Sequence, residues 1–333
     1  MNTFSSFVAP LDDLAVIEIA GPDAASFLHG QLTHDVTGLP SDQARLAGYC
    51  TAKGRLLGSM VVWRGHQAPD STLYAIVKAD VAATLVKRLS MFVLRAKATL
   101  TLSGLTVVGV ALERPFADKP AGPGPSPAQG LINEAGILSA QSQAWDVART
   151  DAGSWIAAPS ADSAIARWWF IAQDAHSHAY QPASSTNAAE CWRAADIAAG
   201  LPWVEAATQD VFIPQTLNLD LIDGVSFTKG CYPGQEVVAR SHYRGTVKRR
   251  MAYGIVDAAA GVAAGTLAGV DIYNTHNPAS PCGRIVNAAV CDGIHVLMEV
   301  QLSDLADADF RLQQADGAPI DLLPLPYRIK AED

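Results

Sequence analysis

The stretch FTKGCYPGQEVVARSHYRGTVKRR, Phe227 to Arg250, concentrates the chemistry of this 333-residue chain. Tyr232-Pro233-Gly234-Gln235 fits a type II turn, because proline fixes φ at the second position and glycine supplies the positive φ the third requires. Gly230 relieves the backbone just before Cys231. A bend of this kind holds a thiol where it can face a cleft. Lys229, two residues back, carries a positive charge of the sort that favours a thiolate. The plainer reading of Cys231 is a small buried hydrophobe, since free cysteine is among the most buried residue types.

Downstream of the turn, Arg240, His242, Arg244, Lys248, Arg249 and Arg250 form a basic run in a chain of net charge −9. Two readings stand. Lysine and arginine on a solvated strand edge discourage edge pairing. Alternatively, the run is an anion site, since arginine grips carboxylates through paired hydrogen bonds and lysine and arginine neutralise RNA phosphate.

The rest of the composition narrows the classes. At 333 residues the chain exceeds the size at which a single core stops growing, about 250–300 residues, so two or three domains are expected. Hydrophobic residues make up 49% and charged residues 17%, enough apolar material for a sizeable core and too little charge for a disordered chain. An acidic protein is not drawn as a whole to nucleic acid or anionic lipid, although a local basic patch can be. The cysteines at 50, 191, 231, 282 and 291 are odd in number, sparse and without a CxxC pair. This argues against a disulfide framework and against metal or cluster ligation, and for a reducing, cytoplasmic setting. Met1 to Ala9 lacks a basic start followed by an apolar run, and no stretch of about 18 apolar residues exists, so neither a signal peptide nor a membrane partner is expected.

Periodicity predicts the elements. Leu14 to Ala20 alternates as a strand. Gly21-Pro22-Asp23 opens a helix, with proline at its first position and Ala24, Phe27, Leu28 and Gln31 or Leu32 facing inward. Residues 45–63 read as two strands about a turn at Lys53-Gly54, and Leu73 to Lys78 as another. Asp80 caps a helix whose apolar face carries Val81, Leu85, Val86 and Leu89. Strand patterning resumes over 97–112. Five prolines between 115 and 127 mark a linker, and 181–186 is a second loose stretch. Asn187 with Glu190 resembles a capping box, and the helix it starts ends near Gly200. From Met251 the short runs 251–256, 268–273, 283–291 and 294–302 predict a small all-β domain. Trp168, Trp169, Trp192 and Trp203 read as core rather than as a stacking platform. His176 and His178 are too few for a metal site, and His29 and His34 read as structural or exposed.

The octapeptide Lys229 to Glu236 resembles the KGCYxGQE signature of the YgfZ family. Upstream, Arg193, Gly200, Pro202, Phe212, Ile213, Pro214 and Gln215 follow that family's pattern. Val238-Ala239-Arg240 and Arg244-Gly245 continue it downstream. GPDAASFLHGQLTHDV, Gly21 to Val36, resembles the opening of the folate-binding domain shared with the aminomethyltransferase (T-protein) of glycine cleavage. The resemblance implies an α+β, GcvT-like folate-binding fold of two α+β subdomains plus a C-terminal small β-barrel, divided at 1–115, 128–247 and 248–333. It implies tetrahydrofolate or a one-carbon derivative as cofactor. It further implies a role supporting iron–sulfur proteins or their assembly factors, with an indirect link to tRNA. Lys229 and Cys231 would carry the chemistry. Arg193, Tyr232, Gln235, Glu236, Arg240 and Arg244 would hold folate, the arginines on the carboxylates of its glutamate tail.

The sequence departs from the T-protein pattern at two places. Gly58 and Ser59 stand where an aspartate pair serves catalysis, and Ala198 stands where a glutamate meets the pterin edge. Glycine can neither accept a proton nor stabilise a positive charge, which disfavours tetrahydrofolate-dependent aminomethyl or methyl transfer, the alternative function. Substitute acceptors for the pterin are Asp196, Glu205, Asp210, Gln215 or Glu236. A module that binds only RNA or protein is the third reading.

Overall fold

The strand expected over Leu14 to Ala20 forms over those residues, with Leu14, Val16, Ile17 and Ile19 buried and Ala15, Glu18 and Ala20 half-buried. In this computed structural model the described residues are 6–65, 72–114, 127–140, 142–172, 186–243, 247–257, 263–307 and 309–329. The first half runs β1 (Phe7–Pro10), β2 (Leu14–Ala20), α1 (Ala24–His29), β3 (Arg45–Cys50), β4 (Leu56–Arg64), β5 (Leu73–Lys78), α2 (Ala79–Ser90), β6 (Thr99–Leu102) and β7 (Thr106–Glu113). Next come α3 (Pro127–Leu138), β8 (Val147–Thr150), β9 (Gly153–Ala158), β10 (Ile165–Ala172), α4 (Thr186–Ala198) and α5 (Gln235–Tyr243). The last stretch holds β11 (Arg249–Val256), β12 (Asp271–Asn274), β13 (Gly283–Val290), β14 (Ile294–Gln301), β15 (Phe310–Leu312) and β16 (Asp321–Leu323). The architecture is α+β.

The chain clusters into two units that interleave along the sequence. One comprises Met1–Ala24, Gly38–Arg45 and Val61–Trp192; the other comprises Ala25–Thr37, Leu46–Met60 and Arg193–Asp333. In the first unit, β1-β7-β10-β9-β8 form a five-stranded antiparallel sheet. Its core packs Val110, Leu112, Trp155, Trp168 and Phe170 against Leu131 and Ala135 of α3. The tryptophans are core, as expected: Trp168 and Trp169 are buried, and Arg167 lies 4.1 Å over the buried Trp192 ring. The same unit pairs β4, β5, β2 and β6 in that order. Against this sheet's neighbours α2 buries Val81, Ala82, Leu85 and Leu89.

In the second unit six antiparallel strands run in the order β15-β12-β13-β14-β11-β16 around a core of Ile272, Ile285, Val296, Met298 and Phe310. A bulge between Ile285 and Asn287 shifts the register of β13 on β14. It turns the Asn287 amide into the unit, where Asn287 Oδ1 accepts from Trp203 N at 2.9 Å and Nδ2 donates to Trp203 O at 2.8 Å.

Several local expectations need correction. Asp80 lies inside the first turn of α2 rather than capping it; Lys78 holds the cap position without a side-chain bond. An aspartate there still complements the positive end of the helix. Val86 is half-buried, not part of the buried face. Asn187 falls within α4, which begins at Thr186, and α1 begins at Ala24, two residues after Pro22. Gly200, with φ +67°, ends α4 as predicted. Cys50, Cys231 and Cys282 are free thiols. Cys191 and Cys291 are disulfide-bonded, a departure from the fully reduced set the cysteine count suggested. Among the described residues no helix is long and apolar enough to cross a membrane. The proline-rich segment 115–126, the stretch 181–185, His176, His178 and Arg244 lie outside the described residues.

Candidate functional site

Two glycine turns build the site. The β3–β4 hairpin closes with Gly54 N donating to Thr51 O at 2.9 Å, and Gly54 takes φ +73°. The turn predicted at Tyr232–Gln235 is a type II turn: Gln235 N donates to Tyr232 O at 3.2 Å and Gly234 has φ +82°. The two turns meet backbone to backbone. A Cβ on Gly234 would fall 2.6 Å from Gly54 Cα, and one on Gly54 would fall 2.8 Å from Val237 Cβ. Both positions therefore need glycine for their φ and for their closeness.

Lys229 reaches from this turn to the end of α1. Its Nζ donates to the carbonyl oxygens of His29 and of Leu32, the latter at 2.7 Å. Carbonyls at a helix end lack intrahelical partners, and the ammonium satisfies them. Nζ also lies 4.6 Å from the centroid of the Tyr232 ring, a cation–π contact. Burial lowers the Lys229 amine to about 8, while the nearby Asp35 and Cys231 pull in the other direction. Asp35 in turn holds His29, with Nδ1 and Oδ1 2.8 Å apart, and accepts from Thr37 Oγ1 at 2.8 Å. The sequence alone left His29 as structural or exposed and did not single out Asp35. Nothing local could have found either, because each lies about 200 residues from Lys229 along the chain.

Cys231 is exposed, whereas Cys50 and Cys282 are buried. Burial pushes the Cys50 thiol up to about 12 and the Cys282 thiol up to about 11. Among the described residues Cys231 is thus the free thiol open to solvent, beside an amine. The reading of Cys231 as a sealed hydrophobe is set aside.

Lys229, Cys231 and Tyr232 come together. Gln235 and Glu236 begin α5, and Arg240 sits one turn further, exposed, with NH2 3.4 Å from Glu236 Oε1. Arg193 stands half-buried on α4. Among its described residues the basic run does not form one patch. Arg249 pairs with Glu299 at 2.6 Å and the buried Arg250 with Asp220 at 2.6 Å, while His242 stacks on Phe227 at 3.7 Å. An open hollow of about 260 Å³ lies among Phe212, Arg249, Asp271, Arg284 and Glu299; neither the 229–236 turn nor Arg193 and Arg240 line it.

No family model matches the chain. Among relatives, it is 33% identical to the tRNA-modifying protein YgfZ of Edwardsiella ictaluri (strain 93-146), covering 95% of this chain and 91% of that one. It is 30% identical to the protein of the same name from Serratia proteamaculans (strain 568), covering 97% and 92% respectively. The chain belongs to the YgfZ family. Among solved structures it is similar to the glycine cleavage system aminomethyltransferase T from Bartonella henselae, with TM-score 0.65 and 12% identity over 96% of this chain and 86% of that one. The fold is therefore GcvT-like.

Within this YgfZ-family chain, Ser59 serves the framework. Ser59 is buried; its Oγ donates to Pro202 O at 3.1 Å and accepts from Val204 N at 3.0 Å. Of the substitute acceptors, Asp196 Oδ2 accepts from Trp203 Nε1 at 3.0 Å and Glu205 Oε1 from Asn287 Nδ2 at 2.8 Å. Gln215 Nε2 donates to Val238 O at 2.6 Å, and its Oε1 is buried without a partner. Asp210 takes φ +58°, and its carbonyl accepts from Arg55 NH1 at 3.0 Å. Glu236 is exposed.

Proposed function

We propose that this protein is a cytoplasmic, folate-binding accessory protein that supports iron–sulfur enzymes, including those that modify tRNA. The observation that carries the reading is the exposed Cys231 thiol beside the half-buried Lys229 amine, in the motif that also carries the family resemblance. The name of the relatives, tRNA-modifying protein, supports the link to tRNA. We read the folate-binding part as 1–115 with 128–247, and 248–333 as the barrel.

The residues present suit a tetrahydrofolate or one-carbon derivative. Gln215 Oε1 is a buried acceptor without a partner, the kind of group a pterin's N–H donors require. Arg240 presents an exposed guanidinium to the carboxylates of a glutamate tail. Gln235 and Glu236 add an amide and a carboxylate in the first turn of the helix that carries Arg240. The cofactor would supply one-carbon chemistry. The chain's own part is to hold Lys229 Nζ on two carbonyls and to keep a thiol two residues away in solvent. Aminomethyl transfer is the weaker reading, because Gly58 offers no proton acceptor and Ser59 is occupied by Pro202 and Val204.

The test is complementation of a cell lacking its own homologue, with iron–sulfur enzyme activity as the readout. Cys231→Ala and Lys229→Ala should both fail to restore it; full rescue by both would end the motif-centred reading. Calorimetric titration with tetrahydrofolate should show binding that weakens in Arg240→Ala.

A further inference from the structure

In the 240–250 run, the densest basic stretch in the sequence, Arg240, Arg249 and Arg250 pair with Glu236, Glu299 and Asp220. A second basic group escapes this. Lys87 and Arg88 close α2, and Arg95 and Lys97 follow within nine residues; all four are exposed. No carboxylate pairs with any of their side chains among the described residues, in a chain of net charge −9. Between them stand Met91, Phe92 and Leu94, exposed at 69%, 46% and 85%. Single exposed hydrophobics are ordinary, but three within four residues, ringed by four cations, are not.

The tip is held in shape. Met91 N donates to Arg88 O at 3.2 Å, Phe92 N to Leu89 O at 2.9 Å, Val93 N to Ser90 O at 3.2 Å and Leu94 N to Phe92 O at 2.9 Å. At the far end Lys97 N donates to Asp23 Oδ2 at 2.7 Å and Asp23 N to Lys97 O at 3.2 Å. The apolar side chains are thus presented to solvent by a backbone tied at both ends. Lys87 and Arg88 also complement the negative end of α2, but Arg95 and Lys97 lie beyond the helix and have no such role.

We propose that this tip, residues 87–97, is a docking surface for RNA that carries unpaired bases. Four unpaired cations match a phosphate backbone in charge. The face of Phe92 is available for stacking on an exposed base, as aromatic side chains do in single-strand recognition. Met91 and Leu94 supply apolar contact on either side. This surface would bring an RNA to the protein directly, which the proposed accessory role does not require.

The experiment is fluorescence anisotropy of the full chain with an unmodified, labelled tRNA transcript over a range of salt. Binding should weaken with salt, and each of Lys87→Glu, Arg88→Glu and Arg95→Glu should lower the slope of log K against log[salt] by about 1. Phe92→Ala should weaken binding by about tenfold and leave the slope unchanged. Arg240→Ala should change neither. All substituted residues are exposed, so the far-ultraviolet dichroism of each variant should match the parent. No binding to the transcript, or a loss on Arg240→Ala with none on the tip variants, overturns the proposal. Equal affinity in Phe92→Ala does so as well, as does uptake by phosphatidylglycerol vesicles through the tip without binding to RNA.

Discussion

Burial of Lys229 outweighs the opposing pull of Asp35 and Cys231, and this fixes how it answers to pH. Its amine gives up a proton near 8 in the folded chain against 10.5 unfolded. Between those values the unfolded state binds the extra proton, so stability rises with pH across that window. Urea unfolding from pH 7 to 11 should show this rise in the parent and a flatter course in Lys229→Met. The neighbouring thiol yields a second expectation. Iodoacetamide at pH 7.5 should label Cys231 at least about tenfold faster than Cys50 or Cys282, whose thiols are buried and pushed upward. Peptide mass mapping reads the order directly, and equal rates at all three would contradict the exposure of residue 231. Little of this cluster was legible beforehand. The motif pointed to Lys229 and Cys231, but His29, Leu32 and Asp35 join through tertiary contact, which local sequence does not encode.

At the scale of elements, the contact between the β3–β4 hairpin turn and the turn that starts α5 is the joint on which the site rests. Gly234→Ala puts a methyl group against Gly54 and forces a side chain into a left-handed φ, and should cost about 2 kcal/mol or more, read from the urea midpoint. The type II turn was readable because its proline and glycine are specified by dihedral preference alone. The strand at Leu14 to Ala20 was readable because one of its faces is half-exposed and the alternation survives. β10 was not, since both faces of IARWWFIA are buried and periodicity vanishes. β15 and β16, three residues each, are too short to carry a pattern. The helix caps at Asp80 and Asn187 misled because residues suited to capping also occur within a first turn.

Across the whole molecule, a likeness to aminomethyltransferase T at 12% identity records a shared fold and not a shared reaction. On the proposed accessory role, no methylamine-bearing donor should turn over with tetrahydrofolate, as followed by methylenetetrahydrofolate formation. Measurable turnover would restore the transferase reading. Charge was the property least legible at this scale. Six basic residues crowded between 240 and 250 suggested one patch, yet two of them, Arg249 and Arg250, are taken up by Glu299 and Asp220 from elsewhere in the chain. Those around residue 92 attracted no notice in the sequence, yet all four face solvent.

The grip on Lys229 uses the main-chain oxygens of residues 29 and 32, which every amino acid possesses. Replacing those two side chains leaves the accepting oxygens in place, whereas a shift in the path of the chain after α1 withdraws them. Insertions or deletions between 25 and 37 should be far more damaging to the motif than replacements there.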